Sequence, residues 1–342
     1  MGRRPPEGAG HRPEGPGRVV TVPTIEQPRA RGTAAGTAPT GRRVSLTRPH
    51  HLFAWGLIAP AVVLFVFVFI IPIVYSGGLS LMGTAAGASA YGVREEVFVG
   101  LGNYVKVLED PTFWTSLGNL AVYALFLVPI MMLTAMLLAL LLDLPRAHLR
   151  AFSRMAIFLP YGVPSVIAAL MWGFLYVPEI SPIYQLAETF GLQFPTLLRG
   201  DLVMTAIINV VLWGGIGFNT IILYTSLQSL PKEQIDAARI DGCDEPRIAW
   251  YIKLPHIVPA TILTGLFSII GALQVYSEPQ MLSSLTPAIN STYFPLMRVY
   301  RDAFAHDDLN SASAASIILA LATVLLSLLV LGGQRLAARR NA

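Results

Sequence analysis

Apolar residues run through this chain in long blocks, and the charged residues fall between the blocks. No charge occurs between Arg48 and Arg94, Asp110 and Asp143, Arg154 and Glu179, Asp201 and Lys232, Lys253 and Glu278, or Asp308 and Arg335. About 20 predominantly apolar residues cross a bilayer as a helix, and each gap holds at least that many. Apolar continuity and turn residues predict six helices near 53–75, 117–142, 155–177, 203–228, 257–281 and 312–334. The short alternating strands of a membrane β-barrel are absent from the pattern. Phe53–Tyr75 has too long an apolar core for a signal peptide and no small-residue cleavage site closely after it, so it reads as a retained helix. The expected fold is all-α and polytopic, with six transmembrane helices in residues 49–342.

Composition sharpens this. Of 342 residues, 54% are hydrophobic and 13% charged, against about a quarter charged in soluble domains. An ordinary soluble enzyme is excluded. So is a nucleic-acid-binding protein, because the charge behind the pI of 9.3 sits at the two ends. One cysteine, Cys243, excludes a disulfide framework and a multi-cysteine metal site; it reads as a small packing residue. Residues 1–48 carry nine Arg among many Gly and Pro. Such a segment buries too little apolar surface to offset its ordering entropy, so a disordered tail is expected.

Lys and Arg also set orientation. Nineteen lie before the first span, between spans 2 and 3, between spans 4 and 5, and after span 6; five lie in the alternate loops. The expectation is a multi-pass protein of the cytoplasmic (inner) membrane with both termini cytoplasmic.

The loop between spans 4 and 5, residues 229–255, spends about 25 residues where a simple connection needs a few. Pro231 suits a first helical turn. Asp236 and Arg239 can pair at i, i+3. Gly242 fits a left-handed cap, and Asp244, Glu245 and Pro246 begin a second short helix that Pro255 is expected to close. Helix, sharp turn and helix at a membrane surface predict a docking element.

The spacing Asp236-Ala237-Ala238, three residues, Gly242, nine residues, Ile252-Lys-Leu254-Pro255 resembles the EAA loop of ATP-binding-cassette importer permeases, with Asp236 for the usual Glu and Cys243 for the usual small residue. The resemblance extends over about residues 53–336. Phe98-Val-Gly-Leu-Gly-Asn-Tyr104 with Asp110-Pro-Thr-Phe-Trp114, Phe158-Leu-Pro-Tyr-Gly-Val-Pro164, Val275-Tyr-Ser-Glu-Pro279 and Tyr300-Arg-Asp-Ala-Phe304 are similar to segments of the carbohydrate-type (maltose and sugar uptake) permeases. Ser181-Pro-Ile-Tyr184 departs from that family's Gly-x-(Ile/Val)-Asn.

The resemblance implies a type I importer permease that pairs with a second permease of similar fold, an ATPase dimer and an external solute-binding protein or lipoprotein, within the lipid bilayer. No phosphate-binding Gly-x-x-x-x-Gly-Lys-(Ser/Thr) loop occurs. The chain is therefore read as binding no cofactor of its own, with ATP and Mg on the ATPase, and as a transport subunit rather than an enzyme. Asp236, Arg239 and Asp241 would bond the ATPase's polar rim, and Ile235 and Ala238 would face its apolar floor.

Polar residues inside spans are candidates for the solute path: Asn209, Trp213 and Asn219 in span 4, and Ser268, Gln274, Tyr276 and Glu278 in span 5. Aromatic faces stack on sugar rings, and amides and carboxylates bond hydroxyls. Helix–helix packing is the competing reading. It is preferred for Gly214, Gly215 and Gly217, while Trp213 and Gln274 fit either, and Glu278 fits a place near the outer interface. The predicted cargo is a sugar, an oligosaccharide first. The rivals are a polyol or glycerol-phosphate ester on the same machinery and, more remotely, an intramembrane enzyme.

Overall fold

A computed structural model of the protein describes residues 51–85, 95–145 and 149–340. The chain divides into two compact units, Met1–Ile58 and Ala59–Ala342. The expected tail at 1–48 lies outside the described residues, and of the first unit only 51–58 are described, all helical.

Among the described residues, five helices are long and apolar enough to cross a membrane: Trp55–Ser80, Pro111–Asp143, Gly200–Leu227, Glu245–Leu282 and Leu309–Gly333. The predicted third span is not one helix. Arg150–Gly162 and Ser165–Tyr176 meet at 97°, so the count is six only if this bent pair is one span. The break follows from Pro164: a residue before proline is pushed out of the helical region, and Val163 is extended at φ −84°, ψ 123°.

Two other boundaries move for local reasons. Span 2 starts at Pro111 rather than 117, because Asp110 caps it by accepting a 2.8 Å hydrogen bond from the Thr112 N–H. Pro255 does not close a separate helix. The chain stays helical from Glu245 through Leu273, so the second half of the loop is the root of span 5. A wide π turn at Ala249–Lys253 makes this possible, with the Leu254 N–H bonding the carbonyl five residues back at Ala249. Span 1 repeats the device before Pro72, where a π turn at Val66–Ile70 passes the Ile71 N–H to the Val66 carbonyl. In a regular helix the proline ring would clash with the carbonyl four residues back; the wider turn relieves that.

Span 5 breaks at Gln274–Tyr276 and resumes as the short helix Ser277–Leu282. Among the described residues one element is not helical: Met82–Ala85 and Glu95–Phe98 pair as antiparallel strands with Met82 opposite Phe98. The Phe98–Tyr104 motif fastens this corner. Asn103 Nδ2 donates to the carbonyls of Ser80 and Met82 at 2.9 and 2.7 Å, and the Tyr104 hydroxyl lies 2.7 Å from Ser80 Oγ. Ser181, in the departing Ser181–Tyr184 segment, caps the helix Pro182–Thr189.

Span 4 is the centre of the packing. Its Val203, Ala206, Ile207 and Val210 are buried with Leu120, Tyr123 and Leu127 of span 2 and with Ala168 and Ala169 after the bend. A second cluster joins Ala135, Ala139 and Leu142 of span 2 to Leu223 and Leu227 of span 4 and Ile257 of span 5. Span 1 buries none of its apolar window; that surface is left for lipid or another subunit.

Candidate functional site: a docking loop and the polar interior of the spans

Pro231, extended at φ −58°, ψ 130°, leads into the helix Lys232–Ile240. The helix ends in a left-handed cap: Gly242 has φ +82°, its N–H bonds the Arg239 carbonyl at 3.1 Å, and the Cys243 N–H bonds that of Ala238 at 2.9 Å. These two bonds define a Schellman motif. A side chain on Gly242 would meet nothing within 4 Å, so the backbone angle alone demands glycine. Asp244 then caps the next helix, accepting from the Arg247 N–H at 3.2 Å.

Asp236, Ala237, Arg239, Asp241 and Gly242 are exposed. Ala238 is buried, so it faces its own chain and not a partner; Ile240, 87% exposed, is the open apolar residue instead. Leu254 packs against the lower core cluster, Ile252 is half-buried and Pro255 exposed.

A chain of charges binds this loop to the spans. Arg239 lies 3.2 Å from Asp236 and 2.8 Å from Glu245; Glu245 lies 3.8 Å from Lys253, and Lys253 2.7 Å from Asp143 at the end of span 2. Asp143 also accepts from Gln228 Nε2, just past span 4, at 2.8 Å. The Glu245 carboxylate, first through its hydrogen bond, holds the Arg239 guanidinium above its usual pKa. Sequence reasoning counts Lys253 only as a topology charge and Glu245 only as part of a helix start, and it does not single out Asp143. The available signal was a lysine set between the apolar residues Ile252 and Leu254.

The predicted path residues are not brought together into one site. Asn209 Nδ2 donates to the Tyr176 hydroxyl at 2.7 Å, and that hydroxyl donates to the Ala206 carbonyl at 3.2 Å. Asn219 donates to the Gly215 carbonyl at 3.0 Å and to Met131 Sδ at 3.2 Å, and Ser268 Oγ lies 3.5 Å from Asn219 Oδ1. These three are interhelical ties. Gln274 and Tyr276 sit at the break in span 5, not within a helix: Gln274 is exposed, and the Tyr276 ring lies 5.3 Å from Tyr300. Glu278 is half-buried in the short helix beyond the break. Trp213 is half-buried edge-on to Trp172, with centroids 6.0 Å apart, and Trp172 is 5.7 Å from Tyr176. The Trp172 Nε1 donor is buried and has no hydrogen-bond partner. Trp172 was not singled out in the sequence.

The family of binding-protein-dependent transport system inner membrane components matches residues 131–342, and the chain belongs to it. It is a membrane-spanning permease of the ATP-binding-cassette importers. The chain is 30% identical over 277 residues to a probable ABC transporter permease protein, YurN, of Bacillus subtilis, covering 80% of this chain and 92% of that one. It is 29% identical over 332 residues to the diacetylchitobiose uptake system permease protein NgcF of Streptomyces coelicolor, covering 92% of each. It is 26% identical over 284 residues to the sn-glycerol-3-phosphate transport system permease protein UgpA of Agrobacterium fabrum, covering 83% and 94%. Among solved structures, a bacterial alginate ABC transporter in complex with an alginate pentasaccharide-bound periplasmic protein superposes with TM-score 0.71 at 17% identity, over 82% of this chain and 93% of that one. That likeness is one of fold.

Proposed function

We propose that this permease imports a sugar, an oligosaccharide first, across the cytoplasmic membrane, driven by a separate ATPase dimer and fed by an external binding protein. A second permease of similar fold completes the pathway. ATP and Mg act on the ATPase, and this chain holds neither. The loop 229–255 is the ATPase dock. The observation that carries the coupling role is the exposed helix Lys232–Ile240 ending in the φ +82° cap at Gly242. The excess of Lys and Arg on that side supports a cytoplasmic position for the loop and both termini.

The interior chemistry supports a neutral cargo over a phosphate ester. Phosphate recognition favours Arg or Lys. Among the described residues the two buried cations, Lys253 and Arg298, both face carboxylates: Lys253 meets Asp143, and Arg298 meets Asp110 at 2.8 Å and Asp302 at 3.3 Å. The Trp172–Trp213 pair, with its unpaired indole N–H, suits a sugar ring and hydroxyl. The names of the uptake permeases NgcF and UgpA supply the two cargo classes to compare.

Competition for uptake tests this reading. Vesicles carrying the complete transporter are given labelled diacetylchitobiose, chito-oligosaccharides and glycerol 3-phosphate. Uptake of an oligosaccharide that glycerol 3-phosphate does not compete supports it. Uptake of glycerol 3-phosphate alone rejects it.

A further inference from the structure

Lys253 is almost wholly buried, with its side chain 3% exposed, and Asp143 is 13% exposed. Withdrawing two charges from water costs several kcal/mol per ion, and an apolar pair of similar volume is often as stable. Stability therefore gives little reason for this pair, while geometry gives one. A cavity of about 690 Å3 lies beside it, with Leu140, Leu144, Arg239, Glu245 and Pro246 among its lining. Leu254 packs on the span 2 cluster, but across the void itself close packing does not carry a push from the docking helix to span 2. The charges do: Arg239 to Glu245 at 2.8 Å, Glu245 to Lys253 at 3.8 Å, Lys253 to Asp143 at 2.7 Å. Glu245 Oε2 is buried and accepts no hydrogen bond, so its 3.8 Å ionic contact with Lys253 is its tie.

We infer that Lys253 is a positioning residue: its buried pair with Asp143 makes the docking helix and the end of span 2 move as one body when the ATPase closes. The inference rests on the docking reading of the loop. Span 2 in turn packs along spans 4 and 5 through Ala139, Leu142, Leu227 and Ile257, so a displacement taken up at Asp143 is delivered to the centre of the bundle.

The test uses the complete transporter, with Cys243→Ala and spin labels on cysteines at Lys232 and at Leu133, both exposed. Pulsed electron–electron resonance reads their separation without nucleotide and with ATP, so no solute need be known. With the native pair the separation is the same in both states. With the apolar pair Lys253→Met and Asp143→Leu, the ATPase still co-purifies and the separation shifts or broadens on ATP. Lys253→Arg keeps the native result. Asp143→Asn, which preserves shape, shifts in the same direction as the apolar pair.

A native separation that changes with ATP overturns the inference, as does an apolar pair indistinguishable from native. An apolar pair that fails to assemble while Lys253→Arg assembles assigns the pair to folding and overturns it as well. The docking reading fails separately: its sign is an ATPase that stays bound and coupled in Gly242→Val.

Discussion

The Ile157 carbonyl oxygen lies directly over Gly217, where the broken third span crosses span 4. A methyl group there would collide with backbone, which cannot yield as a side-chain end can. Gly217→Ala is expected to lower stability by about 1–3 kcal/mol, as overpacking does, seen as a lower melting temperature of purified protein in detergent. Gly214 meets nothing within 4 Å, so Gly214→Ala should leave the melt unchanged or slightly raised. Equal losses from both would dispute this crossing.

The cap at Gly242 yields a conformational prediction. A β-branched residue at φ +82° costs about 1–3 kcal/mol, while Asn enters the left-handed region more readily. Gly242→Val should cut uptake at least about tenfold and loosen the ATPase, and Gly242→Asn should keep most of both. Since a side chain there meets no atom within 4 Å, equal damage from the two would point to a contact with another subunit rather than to the angle.

Two groups of polar span residues should separate by assay. Asn209 is tied to Tyr176, so Asn209→Leu should reduce assembly and leave the sugar preference of surviving transporters unchanged. Trp172→Phe keeps a ring and removes the unpaired N–H. It should assemble normally and change the KM ratio between two sugars by a factor of about 5–10, one neutral hydrogen bond. Trp213→Ala and Gln274→Ala should shift preference in the same way if both touch solute. Unchanged kinetics in all three would move the site to the partner permease.

At the start of span 6, Asp308 is held below the usual carboxylate range. Burial raises its pKa, but hydrogen bonds from Lys106 and Ser311 outweigh it. A carboxyl depressed in the fold contributes stability above its unfolded pKa of 3.8, lost as pH falls through the folded value. Melting temperature should therefore fall below about pH 4, and Asp308→Asn should lower it at pH 6 and flatten that acid loss. An unchanged acid limb in Asp308→Asn would assign it to other carboxyls.

How much of this was legible in the chain depends on whether a feature is local. Apolar length placed the spans, and Asp236 to Gly242 wrote out a helix and its cap because both are set by adjacent residues. The bend at Val163-Pro164 was also written there, but apolar continuity masked it. The passage of a helix through Pro255 was not legible, because it depends on a π turn formed by the five preceding residues. Asn209, Asn219 and Ser268 looked like path residues; their partners, Tyr176 and Met131, lie on other helices, and sequence order does not reveal which polar group faces which. Lys253 and Asp143 are 110 positions apart and became a pair only in three dimensions.

The central claim is that the loop 229–255 is where the ATPase engages. It is tested most directly by a single cysteine at Ile240, the most open apolar residue of the docking helix, in a Cys243→Ala background. With cysteines placed around the ATPase's surface groove, oxidation should form a disulfide between the two subunits and stop transport, and reduction should restore it. A transporter that imports sugar normally while Ile240→Cys cross-links to no ATPase position, or reacts with a membrane-impermeant thiol reagent added outside the cell, would contradict the account.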